Sequence, residues 1–166
     1  TNATASGLTA GTYIVTIIDA NACQITRTVT ITEPTALAST TSQTNVSCNG
    51  GSNGSATVTV TGGTGAYTYS WAPAGGTNAT ATGLSAGIYT VTILDANSCA
   101  LTQSFTITEP TALVASIGSQ ADVSCAGASD GTATVAVTGG TGTYTYAWAP
   151  SGGSNATASG LSAGTY

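Results

Sequence analysis

The chain has 166 residues, and only 4% of them are charged: six acids, one arginine and no lysine. This composition leaves no basic patch for nucleic acid, and the absence of histidine removes the usual general base and imidazole metal ligand. The apolar runs are too short to insert into a membrane, yet 41% of the residues are hydrophobic, which favours a folded chain over a disordered one.

The sequence is built from tandem repeats. Residues 1–34 and 77–110 are identical at 23 of 34 aligned positions, which predicts modules of about 76 residues. The predicted units are the C-terminal half of one repeat at 1–34, a complete repeat at 35–110 and the N-terminal part of a third repeat at 111–166. Because Tyr166 corresponds to Tyr89, which precedes a clear strand, we expect the sequence to be a window on a longer repetitive chain.

Each module is predicted to be a small all-β unit. Apolar and threonine residues alternate in short runs between Gly-rich turns, as at Ala56, Val58 and Val60, and no segment has helical spacing. In chain order, the strands predicted for the complete module cover residues 37–46, 56–61, 67–71, 77–82, 89–93 and 101–108. Six strands, or seven if 73–83 splits, suit an immunoglobulin-like antiparallel β-sandwich, repeated along the chain.

Aromatic residues are predicted to form the structural core of each sandwich. Tyr89 follows a Leu-Ser-Ala-Gly-Ile run, which is the spacing of a tyrosine corner whose hydroxyl reaches back to the backbone just upstream. Tyr13 has the same spacing. Trp71 takes the place of the core tryptophan of an immunoglobulin-like fold, and Tyr69 lies on the same face of its strand.

The row formed by Tyr67, Tyr69 and Trp71 also has a second interpretation. Its period of two places all three rings on one face of a strand. An exposed row of rings is suited to glycan contact, whereas a buried row is core. The spacing is the same in both cases, so glycan binding through these three residues stays as the alternative.

The four cysteines are predicted to form disulfides rather than to bind metal. No two are closely spaced and no histidine assists them. Four thiols allow three connectivities, and the six-strand interpretation favours Cys48 with Cys99 by placing the first turn and the last hairpin at the same end of the sandwich. Cys23 and Cys125 would then have partners outside the window. Structural disulfides imply an oxidising, extracellular location.

Other reactive groups are few. Asp19, Asp95 and Asp130 are predicted to cap turns, and each module offers too few carboxylates for an ordinary calcium site. The sequence contains no nucleophile–base pair and no metal-binding cluster. We therefore predict no enzyme activity, no cofactor and no bound metal.

The junctions between modules predict a semi-rigid rod. The junction at 108–113 leaves almost no free linker, and Pro110 stiffens it. Like modules joined in this way form a rod whose length scales with the number of repeats, so the neighbouring repeats are the first partners of each module. Lateral self-association of such rods is an open alternative. Ice or mineral binding by the Thr-x-Thr rows would need flatter arrays than a twisted sandwich supplies.

Two runs of the complete module carry a resemblance to a known family. They are the segment from Cys48 through Gly62-Gly63-Thr64-Gly65 to Trp71, and the segment from Leu84 to Cys99. Together they resemble the SprB-type repeat of very large cell-surface proteins of Bacteroidota, including the gliding-motility adhesin. The family usually has proline where Ala66 stands, a departure that leaves the expected fold unchanged.

The resemblance implies a function outside the cell. The parent protein would leave through the type IX secretion system and sit on the outer membrane, where some family members drive gliding. The family unit begins near the first cysteine and ends near the second, which agrees with a bond between Cys48 and Cys99. The main hypothesis is a stalk or filament of a surface adhesin. In the alternative, the repeats bind polysaccharide or external surfaces through aromatic residues and the Gly-rich loops at 49–54 and 62–65.

Overall fold

The computed structural model describes residues 3–166, and this part of the chain is all-β. The strands are β1 (Gly11–Ile18), β2 (Gln24–Ile31), β3 (Ala38–Thr44), β4 (Gly54–Thr61), β5 (Thr68–Ala72), β6 (Thr80–Leu84), β7 (Gly87–Leu94), β8 (Ala100–Ile107), β9 (Val114–Ala121), β10 (Gly131–Thr138) and β11 (Thr157–Leu161). The all-β prediction is therefore confirmed.

The strands form separate antiparallel sheets that follow the repeats. β1 pairs with β2, and β9, β10 and β11 form a sheet in which β10 is central. Between them, the complete module has one sheet in the order β3-β4-β6 and a second in the order β5-β7-β8. Its six strands match the smaller of the two predicted numbers. No strand pairing within the described residues crosses from one predicted module to the next.

The two sheets of the complete module enclose one hydrophobic core, in the manner of a β-sandwich. Strict alternation produces it: in β7, Tyr89, Val91 and Ile93 are buried, while Ile88 is 69% exposed. Packing these inward faces together removes the apolar side chains from water and leaves a hydroxyl-rich outer surface. The buried hydrophobic residues are Val46, Ala56, Val58, Trp71, Ala81, Leu84, Tyr89, Val91, Ile93, Phe105 and Ile107.

The fourth predicted strand begins later than expected, at Thr80 instead of residue 77. Gly75 and Gly76 have φ values of +134° and +82°, so the chain is still turning there. The loop continues far enough for the carbonyl of Asn78 to accept a hydrogen bond from Trp71 Nε1 at 2.8 Å. The loop is therefore held by the tryptophan it covers.

The flanking modules have only part of this sandwich. In β1, Val15 and Ile17 correspond to the fully buried Val91 and Ile93, yet they are 47% and 54% exposed because no second sheet covers them. In the third module, residues 144–148 repeat the aromatic row of β5 but form no strand. β5 is hydrogen-bonded only to β7, and in the third module only Gly164–Tyr166 correspond to residues of β7, its first three. A strand therefore needs its partner as well as its own pattern.

Candidate functional site

The aromatic row of β5 points into the sandwich. Trp71 is 7% exposed, and its ring centroid lies 5.3 Å from that of Phe105 on β8. Tyr69 and Tyr67 are half-buried and pack against the core, and the Tyr67 hydroxyl donates a hydrogen bond to the carbonyl of Gly62 at 2.5 Å. The outward side chains of this strand are Thr68 and Ser70. The faces that would stack on a sugar are thus largely occupied by protein, which supports the structural interpretation.

The predicted tyrosine hydrogen bond is present at each repeat of the motif. Tyr89 donates to the carbonyl of Ser85 at 3.3 Å, and Tyr13 donates to that of Thr9 at 3.0 Å. The side chain of Tyr166 makes the equivalent bond to Ser162 at 3.2 Å. At Tyr89 and Tyr13 the hydrogen bond closes the turn that leads into β7 or β1, which supports a structural role for these tyrosines.

Asp95 ties together two turns at the end of the module where the chain enters. Its Oδ1 accepts hydrogen bonds from the backbone N–H groups of Asn97 and Cys99, each at 2.9 Å. Its Oδ2 accepts another from the N–H of Thr64, also at 2.9 Å, in the turn between β4 and β5. The residue is 6% exposed. The predicted turn cap is confirmed, and this carboxylate additionally joins the hairpin between β7 and β8 to the turn between β4 and β5.

The pKa of Asp95 should make the stability of the complete module depend on pH. Hydrogen bonds from the backbone of Cys99 and then of Thr64 lower this pKa, although partial burial opposes them. Because the folded pKa is depressed, the stabilisation is present above the unfolded value of about 3.9 and is lost as pH falls through the folded pKa. We expect the midpoint of urea unfolding to fall steadily below about pH 4.

An amide variant checks this assignment. Asp95→Asn should unfold at lower urea at pH 6 and should lose most of the acid dependence. Glu33→Gln, which alters an exposed carboxylate, should leave the profile unchanged. Unfolding followed by tryptophan fluorescence in a Trp148→Phe background reports on the complete module. Asp95→Asn with an unaltered pH profile would show that this carboxylate is not the titrating group.

Glu109 organises the opposite end of the module, where the chain leaves. Its carboxylate accepts hydrogen bonds from the Gly50 N–H at 2.6 Å and from Asn49 Nδ2 at 3.0 Å. Asn49 Nδ2 also donates to the carbonyl of Pro110 at 3.1 Å. The loop between β3 and β4 is therefore tied to the residues that lead to the next module.

The next module holds the other side of the same linker. The carbonyl of Thr111 accepts a hydrogen bond from the Gly140 N–H at 2.9 Å, and Thr35 makes the same contact with Gly63 at 2.7 Å. Sequence analysis missed the roles of Glu109 and of the threonines after proline. The signal was present, since Thr-Glu-Pro-Thr occurs at both 32–35 and 108–111, but their partners lie far away in the sequence.

The predicted bond between Cys48 and Cys99 is absent, and the geometry assumed for it is wrong. All four cysteines are free and exposed. Cys48 belongs to the loop bound by Glu109, beyond the end of β8, whereas Cys99 comes directly before the start of β8. Eight residues of strand separate these ends by about 27 Å, while bonded cysteines have Cα atoms about 4.4–6.8 Å apart. The thiols of Cys48 and Cys99 therefore lie at opposite ends of the sandwich.

The described part of the chain, residues 3–166, also bears on two other kinds of site. No group of three His, Cys, Asp or Glu side chains lies close enough together to hold a metal ion in this range. The same residues contain no helix suited to crossing a membrane. The distinguishing features of this stretch are its aromatic core, the module ends held by Asp95 and Glu109, and its exposed cysteines.

Comparison with known families identifies two segments. A family model described as the SprB repeat matches residues 40–76 and 117–154, so both segments are similar to SprB repeats. Each match begins within the first strand of a module and includes its first cysteine. The match at 40–76 stops well before Cys99, so the expected family boundary is not reproduced there. The SprB repeat is a structural repeat of large cell-surface adhesins and not an enzyme family. No curated protein and no solved structure matches the chain.

Proposed function

We propose that these modules form a semi-rigid stalk in an extracellular adhesin attached to the bacterial outer membrane, and that adhesion is carried elsewhere in the parent protein. The observation that carries the proposal is the junction at 109–111. Glu109 and the carbonyl of Pro110 are bound by one module and Thr111 by the next, so no unanchored residue lies between the two modules. Proline also restricts its own backbone rotation. Such a junction restricts the orientation of each module relative to the next.

The surface chemistry supports the same role. The outward positions of the strands are mostly Thr and Ser, and the whole chain has a net charge of −5. A hydroxylated surface with few charges is hydrated, and its interactions depend little on salt. Secretion by the type IX system and a link to gliding are the finer parts of this proposal, and they derive from the SprB resemblance.

Rigidity of the junction can be measured by NMR relaxation on the intact chain. We expect the amides of β7 and β10 to fit one common anisotropic rotational diffusion tensor. Insertion of Gly-Ser-Gly-Ser between Pro110 and Thr111 should give each module its own faster tumbling. The same insertion after Gly153, where an added β-carbon would meet nothing within 4 Å, should leave the common tensor intact. Independent tumbling of the modules in the unmodified chain would contradict the stalk.

A direct binding test separates the stalk from the adhesive alternative. The immobilised chain is exposed to a panel of polysaccharides, and the stalk function predicts no saturable binding. Saturable binding that disappears in a folded Tyr67→Leu variant, but persists in Thr68→Ala, would instead make the aromatic strand a glycan site. Tyr67 and Thr68 are neighbours on opposite faces of the same segment, which makes the two variants a matched pair.

A further inference from the structure

The two cysteine positions of the repeat lie at opposite ends of a module, and tandem connection brings opposite ends of neighbouring modules together. The loop containing Cys48 lies where the chain leaves the module, because Glu109 holds that loop beside the linker. The hairpin containing Cys99 lies where the chain enters, because Asp95 binds it to the turn at Thr64, next to Gly63 and its partner Thr35. A first cysteine therefore faces the entry end of the following module.

The junction between the second and third modules shows this arrangement. A groove at the junction is lined by Ser47, Cys48 and Asn49 from one module and by Leu113, Gly140 and Thr141 from the next. Thr141 corresponds to Thr64, whose N–H and carbonyl both bind the hairpin at 95–99. In a complete third module, the equivalent hairpin and its cysteine would rest against Thr141. Cys48 already lines the groove on which that hairpin would sit.

We propose that a disulfide crosses each junction, joining the first cysteine of one module to the second cysteine of the module that follows. Cys48 would bond to the hairpin cysteine of a complete third module, and Cys99 to the loop cysteine of the module before it. The arrangement accounts for four exposed thiols that have no partner among residues 3–166. It also gives a role to cysteines that lie outside the hydrophobic cores of the modules.

The bond forms by ordinary thiol–disulfide exchange with a small disulfide such as oxidised glutathione. The Cys48 thiolate attacks one sulfur of the oxidant and releases a glutathione thiolate, leaving a mixed disulfide. The hairpin thiolate then attacks Cys48 Sγ and displaces the second glutathione. Two cysteine thiols lose two protons and two electrons, and one oxidised glutathione becomes two reduced molecules. The exposure of both cysteine positions lets the oxidant reach them.

A covalent bridge at this position would carry tension in parallel with the linker at Pro110. The bond would also prevent the two modules from separating when the noncovalent contacts of Glu109 and Thr111 open. The proposal goes beyond the stalk function and is separable from it, since a rod without bridges and a bridged adhesive array are both physically possible.

The test extends the present chain after Tyr166 with a copy of its own residues 90–110. Tyr166 corresponds to Tyr89, so the extension completes the third module and adds a copy of Cys99. A first variant carries Cys23→Ser, Cys99→Ser and Cys125→Ser, which leaves Cys48 and the copied cysteine. After equilibration with oxidised and reduced glutathione, we expect an intramolecular disulfide, seen as the loss of two hydrogen masses in the monomer and confirmed by mapping.

The matched control retains Cys48 and Cys99 and replaces Cys23, Cys125 and the copied cysteine by serine. It should keep two free thiols under the same conditions. The proposal is overturned if the folded first variant stays reduced, or if the control forms the intramodule bond. Circular dichroism and tryptophan fluorescence establish folding in both. Rigidity is measured separately by NMR relaxation with all cysteines replaced, so failure of the bridge and failure of the stalk give different results.

If the extended chain does not fold, the original chain still provides a decisive measurement. Thr141→Cys in a background of Cys23→Ser, Cys99→Ser and Cys125→Ser places a thiol in the groove with Cys48. A short bismaleimide should then cross-link the two thiols within one molecule. Placing the added thiol at Thr90→Cys, on another part of the middle module, should give no such product. Failure of the Thr141 variant to cross-link would overturn the juxtaposition on which the bridge depends.

Discussion

Replacing Ile93 with alanine is expected to destabilise the complete module by about 2–5 kcal/mol. Ile93 lies in β7, the middle strand of its sheet, and is fully buried between the two sheets. Truncation removes apolar contacts and leaves a cavity that close-packed neighbours only partly fill. Urea unfolding followed by Trp71 fluorescence in a Trp148→Phe background measures the change, with circular dichroism confirming that the variant folds.

Two further isoleucines provide controls for this experiment. Ile88 lies in the same strand but is 69% exposed, and Ile17 occupies the position of Ile93 in the first module but is 54% exposed. Ile88→Ala and Ile17→Ala should each change the unfolding free energy of the complete module by no more than about 0.5 kcal/mol. An effect of Ile17→Ala equal to that of Ile93→Ala would mean that the first module packs against the complete module and contributes to its stability.

Replacing Gly62 with alanine should cost about 2–5 kcal/mol, through both backbone strain and a collision at the module entrance. Its φ of +77° lies in the left-handed region, where an L side chain is strained. A β-carbon there would also overlap the backbone carbonyl of Ala36, in the segment that enters the module. Backbone atoms cannot rotate away as a side chain can, so the entering segment must move.

Gly76→Ala separates these two costs. Gly76 has a similar φ of +82°, but a β-carbon at this position would meet nothing within 4 Å. Its substitution should therefore cost only the strain, about 1–2 kcal/mol. The same urea titration with Trp71 fluorescence compares both variants. Equal destabilisation by Gly62→Ala and Gly76→Ala would show that the entering segment is not held against Gly62, which would also weaken the case for a rigid junction.

These experiments address different requirements of a stalk. Ile93 tests whether each module resists unfolding, and Gly62 tests whether the segment between modules is fixed to the module it enters. The hydrogen bond from Gly63 to Thr35 is repeated from Gly140 to Thr111, which indicates that the junction contact is a property of the repeat. An extended region made of such units would owe its stiffness to the same few backbone contacts at every junction.

The disulfide prediction shows how a correct strand pattern can support an incorrect site. The strands on either side of Cys48 and Cys99 are in the expected order, and both cysteines lie in the expected turns. The strand pattern does not indicate at which end of the module the hairpin between β7 and β8 lies. The pairing of β7 with β8 forms the hairpin at 95–99. Asp95 holds this hairpin beside Thr64, at the entry end of the module.

The sequence alone predicts the all-β class, the repeats and the apolar face of each strand. These properties are local, since alternation of Val, Ile and Thr specifies which side chains leave water wherever a second sheet is available. It also identified Tyr89 as a corner residue, because the acceptor of its hydrogen bond is only four positions upstream.

Strand pairing and the meeting of module ends depend on tertiary contacts that the local pattern does not contain. The aromatic run that forms β5 in the complete module forms no strand at 144–148, although the two sequences are nearly identical. The difference is the presence of β7, whose backbone supplies the hydrogen bonds that an isolated run lacks. In the same way, the roles of Glu109, Asp95 and Cys48 depend on partners that are remote in sequence and become neighbours only when two sheets close over a common core.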